Sequence, residues 1–492
     1  MNAMKCVRSC FACCALAVIP SAFALTIDAF NPQPDSGPMA LATQVDGKII
    51  IGGQFQTVGT TPVKSIARLN ADGSTDATFA NPAVNFEVKA VAVQPDGKIL
   101  IGGTFDAIGT SARHYLARLN ANGTLDTNFV DPDLNSTVWA IAMQPDGKVL
   151  VAGSFTLSGA TPRGRLARFN SDGTLDTLTF ADPKICNSEA HSVALQANGD
   201  IVVGGFFAHI GNCSGSPYHF YLARFSSAGV LDSTFPVDPP PGPVGSGTVV
   251  GADGSIYVGG GYPTSDSLAT RLVAKLSSSG ALISAFDDLN NDGSSNSFVL
   301  QPNGKILIGG NFQQVGGLAR HALARLNADG SLDSSFADPA FSLDANNPNG
   351  AIFGVAAQAD GKVLAAGNFS LASAQSRQYM ARVVSGNLAT SRFTGQPSGS
   401  SVVAVWSRTG DGPELAQPPM LMHSSDGVNF AAVGPMTRIA NGWQATAPFN
   451  VHGTPFYLQA TGTTSGGAQT GSAGRVASDT YFSDTTFADG FE

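Results

Sequence analysis

The sequence has little charge and nothing that announces a reactive centre. Only 13 % of its 492 residues are charged, and its 27 basic residues form no run, which excludes the electrostatic footprint of a nucleic-acid binder. It has no H-E-x-x-H, P-loop or G-x-S-x-G, and past residue 24 no C-x-x-C, so the commonest metalloprotease, nucleotide-hydrolase, esterase and zinc-pair signatures are all missing. Past residue 24 no apolar run reaches the about 18 residues a membrane-spanning helix needs. Cysteine is scarce too: four of the six (Cys6, Cys10, Cys13, Cys14) lie near the N-terminus. What the chain does have is 57 Gly and 28 Pro in a 43 % hydrophobic background. That composition excludes a disordered chain, a coiled coil and a small disulfide-stapled fold, and points to many short turns around a large core.

Residues 1–24 have the layout of a secretory signal peptide. Lys5 and Arg8 supply the basic start, Phe11 to Ile19 the short apolar stretch, and Ala22-Phe23-Ala24 the small-x-small cleavage site. The expected mature chain starts at Leu25 and is secreted, to the periplasm, the cell surface or the medium. No Leu-x-x-Cys precedes a cysteine, so lipidation is not expected. Loss of Lys5 and Arg8 leaves 25 basic against 36 acidic residues, a net charge of −11.

Self-similarity dominates the rest. KAVAVQPDGKILIGGTF (89–105) recurs as WAIAMQPDGKVLVAGSF (139–155) and SFVLQPNGKILIGGNF (297–312). The turn glycines fall at Gly47, Gly97, Gly147, Gly199, Gly254, Gly304 and Gly361, at spacings of 50, 50, 52, 55, 50 and 57 residues. In one unit, Val91, Val93, Ile99 and Ile101 alternate around Pro95-Asp96-Gly97, the pattern of two half-buried strands joined by a three-residue turn. Ala121-Asn122-Gly123 joins a second pair in the same way. Each unit is therefore read as four strands, a to d. Such units cannot cover both faces alone and must stack on one another. Radial stacking gives an all-β, seven-bladed β-propeller over residues 25–394; an open β-solenoid, the rival, normally has shorter repeats. TIDAF (26–30) looks like a d strand, so the N-terminus is expected to complete the last blade. Phe393 sits at the d-strand offset from Arg382, which leaves closure by the other end open.

Some recurrences point to construction and not chemistry. Arg68, Arg118, Arg168, Arg224 and Arg325 in strand c are each followed eight residues later by an acid: Asp76, Asp126, Asp176, Asp232 and Asp333. Across a tight hairpin that spacing sets guanidinium against carboxylate. Lys275 has Ile283 at the same offset, so the pair is lost as a unit there. A catalytic centre needs one asymmetric cluster; these pairs repeat around the ring and are expected to be structural.

The a–b and c–d turns are short and share one face. The b–c and d–a connections share the other and hold the length variation, so that face is the expected recognition surface. Cys186 and Cys213 fall in two such connections of one blade, and in an exported protein they are expected to form a disulfide. DDLNNDGSSN (287–296) places Asp288, Asn290 and Asp292 at the spacing of calcium ligands, but Val299 stands where an EF-hand has its closing Glu; a plain Asp/Asn/Gly loop fits equally. No other cofactor is indicated. His114 and His321 occupy equivalent repeat positions, which suggests a surface or packing role.

After Phe393 the repeat stops. Residues 395–460 contain strand-like runs and read as a small β-sandwich-like module. Residues 461–492 read as a flexible linker followed by an acidic, aromatic tail.

The ordered blocks QPDGK, GGxF and LARLN resemble the delta-60 repeat, also called DUF5122, over about residues 26–393, with 249–286 departing most. The resemblance implies a propeller of exported bacterial proteins and brings no catalytic residues. The expected function is a non-catalytic scaffold, monomeric and without a membrane span, that binds protein or glycan through the variable face. The alternative is a propeller enzyme acting on extracellular polysaccharide, with carboxylates drawn from several loops.

Overall fold

The structure is a computed structural model that describes residues 25–211, 213, 221–236, 247–259, 273–285, 293–385, 389–398, 401–448, 456–465, 467–468, 472–478 and 480–483. Its elements are all strands. In the second unit, Val88–Val93, Ile99–Gly103 and Leu116–Leu119 form strands a, b and c of an antiparallel ladder. The a–b turn closes as its sequence dictates: Gly97 N donates to Gln94 O (3.0 Å), Gln94 N to Lys98 O (2.8 Å), and Gly97 takes φ +81°.

Seven such sheets are present. Between them lie seven apolar clusters, each drawn from two consecutive sheets. The last packs Phe30, Leu41 and Ile51 against Leu364, Ala366 and Met380, joining unit seven to unit one and closing the ring. The N-terminus completes it. Thr26–Ile27 pairs with strand c of unit seven, Asp28 meets Arg382 at 2.7 Å, and Phe30 lies 4.8 Å beneath that guanidinium.

The expected fourth strand is mostly missing. In five units strand d is reduced to a single bridge, such as Leu119 to Leu125. The aspartate is the reason. Asp126 N donates to Arg118 O, and its carboxylate then accepts Asn128 N (3.1 Å), which curls the chain out of the ladder. Unit five has Ile283 in that place and keeps a paired fourth strand, Leu282–Ala285, with Ile283 bulged out of the ladder.

The C-terminal module differs from expectation in extent and in reach. Thr390–Ser398, Ser401–Thr409, Gly442–Ala447 and Thr437–Ile439 form one sheet; Ala431–Pro435, Met420–Ser424, Phe456–Ser465 and Ser472–Ala477, with Tyr481–Ser483, form another. Trp406, Trp443, Leu421, Leu458 and Phe393 make their common core, so Phe393 belongs to the module and closes no blade. Where 461–478 reads as a linker, the described residues 461–465, 467–468 and 472–477 are strand. Gly467–Ala468 pairs with Ser297 and Phe298 on the innermost strand of unit six, and Ser472–Ala477 lies against the innermost strands of units one, two and three. The hairpin thus runs down the axis of the ring. Composition misleads here because the small residues of a linker also suit a strand packed along the narrow axis of the ring.

The module docks on the short-turn face, at the ring's one covalent seam. In other units the strand-c arginine donates Nη1 to the next unit's c–d turn, as Arg68 does to Ala121 O (2.6 Å). Unit seven has no such turn, because its c and d strands come from opposite ends of the chain. Asp411 stands in: its carboxylate takes Arg325 Nη1 (2.5 Å) and Ser385 Oγ (2.6 Å), and its carbonyl takes Gln301 Nε2 (2.6 Å).

Candidate functional site at the mouth of the ring

With one face covered and the axis filled from that side, the other face holds, among the described residues, the open end of the ring. Strand a starts there, and in five units it starts with a β-bulge, located by register shifts at 88/90, 138/140, 190/192, 295/297 and 352/354. A bulge re-aims one side chain out of the ladder. The residues at these positions are Lys89, Trp139, His191, Asn296 and Phe353: five chemistries at one repeated place, in a frame whose flanking residues barely change. The unit-five counterpart lies outside the described residues.

The glycine pair of strand b makes this geometry possible. A Cβ on Gly103 would sit 2.0 Å from Glu87 O, and one on Gly205 would sit 2.2 Å from Glu189 O. Without side chains there, Thr104 N and Phe206 N donate to those carbonyls (3.0 and 2.9 Å), which fixes Glu87 and Glu189 beside the bulges.

Three of these side chains form a continuous arc. Lys89 Nζ lies 4.4 Å from the Trp139 ring centre and 2.5 Å from Glu87 Oε2. Trp139 stacks on His191 at 4.4 Å and anchors its Nε1 to Ser154 Oγ (2.9 Å). His191 meets Glu189 Oε2 at 2.5 Å and the edge of Phe206 at 4.9 Å. Both faces of the indole are therefore taken, and a ligand would meet the outer members of the stack. At the His191 end Phe206 is 42 % exposed and the Glu189 side chain 37 %; at the Lys89 end Lys89 itself is buried, and Phe86, next to Glu87 in the chain, is 51 % exposed. Apolar ring faces beside carboxylates held in fixed positions suit a ligand with both apolar faces and hydroxyls.

The residues singled out from the sequence lie elsewhere. Arg68–Asp76, Arg118–Asp126 and Arg325–Asp333 close at 2.7 to 2.8 Å, Arg168–Asp176 at 3.0 Å and Arg224–Asp232 at 2.6 Å, all across the c–d hairpins. Lys48, Lys98, Lys148 and Lys305 of strand b join the same carboxylates at 2.6 to 2.9 Å, and a strand-d phenylalanine underlies each of the five arginines. Burial opposes the charge, but these cations and backbone caps outweigh it and hold the acids below the ordinary aspartate value, Asp232 at about 2. Cys186 and Cys213 are disulfide-bonded on the variable face. His114 and His321 pair with Asp131 and Asp338 there. Asp288, Asn290 and Asp292 lie outside the described residues. The sequence reading misses the mouth residues, although a signal exists: the bulged strand-a position runs Lys, Trp, His, Asn and Phe and varies most from unit to unit.

Among solved structures the chain is similar to a glycoside hydrolase (12 % identity over 92 % of this chain and 100 % of that one, TM-score 0.27). It is also similar to AztD of Citrobacter koseri (10 %, 90 % and 97 %, 0.27) and to the polysaccharide lyase Uly1 (11 %, 79 % and 98 %, 0.24). Likenesses this distant carry no functional information. A search of curated proteins gives no match. The family model of the DUF5122 beta-propeller, a domain of unknown function, matches residues 44–79, 94–129, 144–178, 196–235, 301–336 and 358–383. It skips unit five, which lacks the Arg–Asp pair. Six repeats in register identify the chain as a member of the DUF5122 β-propeller family.

Proposed function

We propose that the protein is an exported, non-catalytic binding scaffold that takes a glycan at the mouth of the ring, on the face opposite the C-terminal module. The observation that carries this reading is the set of bulged positions: a place in the repeat where the side chains differ most, at the start of the innermost strand, with Lys89, Trp139 and His191 in contact at the mouth. Exposed Phe86 and Phe206 offer faces for sugar rings, and Glu87 and Glu189 offer acceptors for hydroxyls. The disulfide fits an oxidising compartment, as a signal peptide over residues 1–24 requires.

The test uses an immobilised glycan array together with tryptophan fluorescence. Trp406 and Trp443 are 1 % and 4 % exposed, so ligand-dependent quenching should come from Trp139 and vanish in Trp139→Phe. Glu189→Gln and Phe206→Ala should each weaken binding about tenfold with unchanged melting temperature. Glycan binding that survives both substitutions would refute the site. Release of new reducing ends from a bound polysaccharide would replace the scaffold with an enzyme.

A further inference from the structure

Units two, three and six carry the same outer connection with one telling difference. In unit two His114 N and Nδ1 bind the two oxygens of Asp131, the ring bond at 2.7 Å, and in unit six His321 does the same with Asp338. Unit three has Gly164 in the histidine's place. Gly164 N still donates to Asp182 Oδ1 (2.8 Å), which also takes Lys184 N (3.2 Å). Among the described residues no side chain reaches Asp182 Oδ2.

The exchange is built in. A Cβ on Gly164 would lie 2.8 Å from Lys184 Cα and Ile185 N, so the neighbouring connection has closed onto the glycine and bonds its carbonyl through Ile185 N (3.2 Å). That connection is tied down by the Cys186–Cys213 bond and by Asn187 Nδ2 on Cys213 O (2.9 Å). What remains is a cleft of about 390 Å³, lined by Arg163, Arg165, Asp182, Lys184, Asn187 and the disulfide.

It carries two cations that its siblings lack. Asp133 of unit two and Ala340 of unit six stand where unit three has Lys184, and Tyr115 and Ala322 stand where it has Arg165. Arg163 recurs as Arg113 and Arg320 and is not what distinguishes the cleft. Arg165 holds its guanidinium by donating Nε to Ser188 O; burial lowers its pKa, and nearby Glu189 of the mouth partly offsets that. In a chain of net charge −9, two added cations around one free carboxylate oxygen form a mixed site, with donors for an anion and an acceptor for a hydroxyl. A bare phosphate would use the cations, leave Asp182 facing its own charge, and fill little of the volume. A sugar ring bearing a carboxylate satisfies both.

We infer that this cleft binds the carboxylate of an acidic saccharide, the anion on Arg165 and Lys184 and a ring hydroxyl on Asp182 Oδ2. It deepens the glycan reading, supplying an anionic subsite beside the mouth through Glu189, and rests on that reading.

The test is calorimetric titration of the full chain with digalacturonate, its methyl ester and inorganic phosphate. The acid should bind at least tenfold tighter than the ester, and Lys184→Glu, a change at an exposed side chain, should remove that preference with the melting temperature unchanged. Arg165→Gln should weaken acid and leave ester alone. Equal binding of acid and ester, phosphate competing at the affinity of digalacturonate, or a silent Lys184→Glu would each overturn the inference. The mouth is judged separately. Loss of neutral-glycan binding in Phe206→Ala with Lys184→Glu silent would keep the mouth and sink the cleft; acid selectivity lost in Lys184→Glu, with no glycan response at the mouth, would do the opposite.

Discussion

The two faces of the ring are made from one repeat but use it oppositely. On the short-turn face five units contribute the same Arg, Asp and Phe, four of them with the same Lys; unit five departs, and the missing turn of unit seven is covered by Asp411. On the other face the backbone repeats while the side chains diverge at one bulged position and in one outer connection. Uniformity on the first face holds the sheets in register, which leaves the second free to vary. Stability and recognition are thereby separated along each strand.

Breaking the seam should have the largest effect. Asp411→Ala leaves Arg325 with Asp333 but strips the module of its buried anchor, an expected loss of about 3 kcal/mol in docking. In urea, Trp406 and Trp443 fluorescence should then report a separate, earlier transition for the module; a single unchanged transition would show that the axial hairpin alone holds it. Next is the disulfide. Removing both partners, Cys186→Ser with Cys213→Ser, opens a loop of sequence separation 27 and should cost up to about 3 kcal/mol, abolishing the cleft's acid preference while mouth binding persists. Arg118→Ala should cost about 2 kcal/mol, because it loses Asp126, the Ser171 carbonyl and the Phe129 ring while Lys98 still neutralises the acid; glycan binding should be unaffected, and its loss at unchanged stability would breach the division between faces.

Smaller per group is the acid response. Asp76, Asp126, Asp176, Asp232 and Asp333 have folded values below the 3.8 of the free side chain. Their contribution is therefore full above about pH 4 and is lost as pH falls toward the folded values. Denaturation midpoints should be flat from pH 7 to 5 and drop below 4, and Asp126→Asn should flatten part of that drop. Smallest is Trp139→Phe, a rim substitution expected to stay within about 0.5 kcal/mol while silencing ligand-dependent fluorescence.

Local signals reached the strands, turns and ion pairs because each is encoded within about ten residues. The Pro-Asp-Gly turn needs only its own φ angles, and Arg118 meets Asp126 across one hairpin. The same locality explains the failures. Strand d reads as a full strand because TLDTNF alternates, yet the Asx turn at Asp126 competes with the ladder and wins. Residues 461–478 read as a linker because small polar residues say nothing about the channel that receives them. The mouth was missed because a bulge is invisible without its partner strand; Lys89, Trp139 and His191 are about fifty residues apart and touch only because the sheets are radial.

Periodicity, turn glycines and the Arg–Asp spacing settle, without coordinates, that this chain is a stack of β units, since a hairpin's register is fixed by its own residues. Which residues meet at the mouth, what enters the axis and what replaces the absent turn at the seam depend on closing the ring. Closure brings together groups that no local rule relates, and only the tertiary structure decides it.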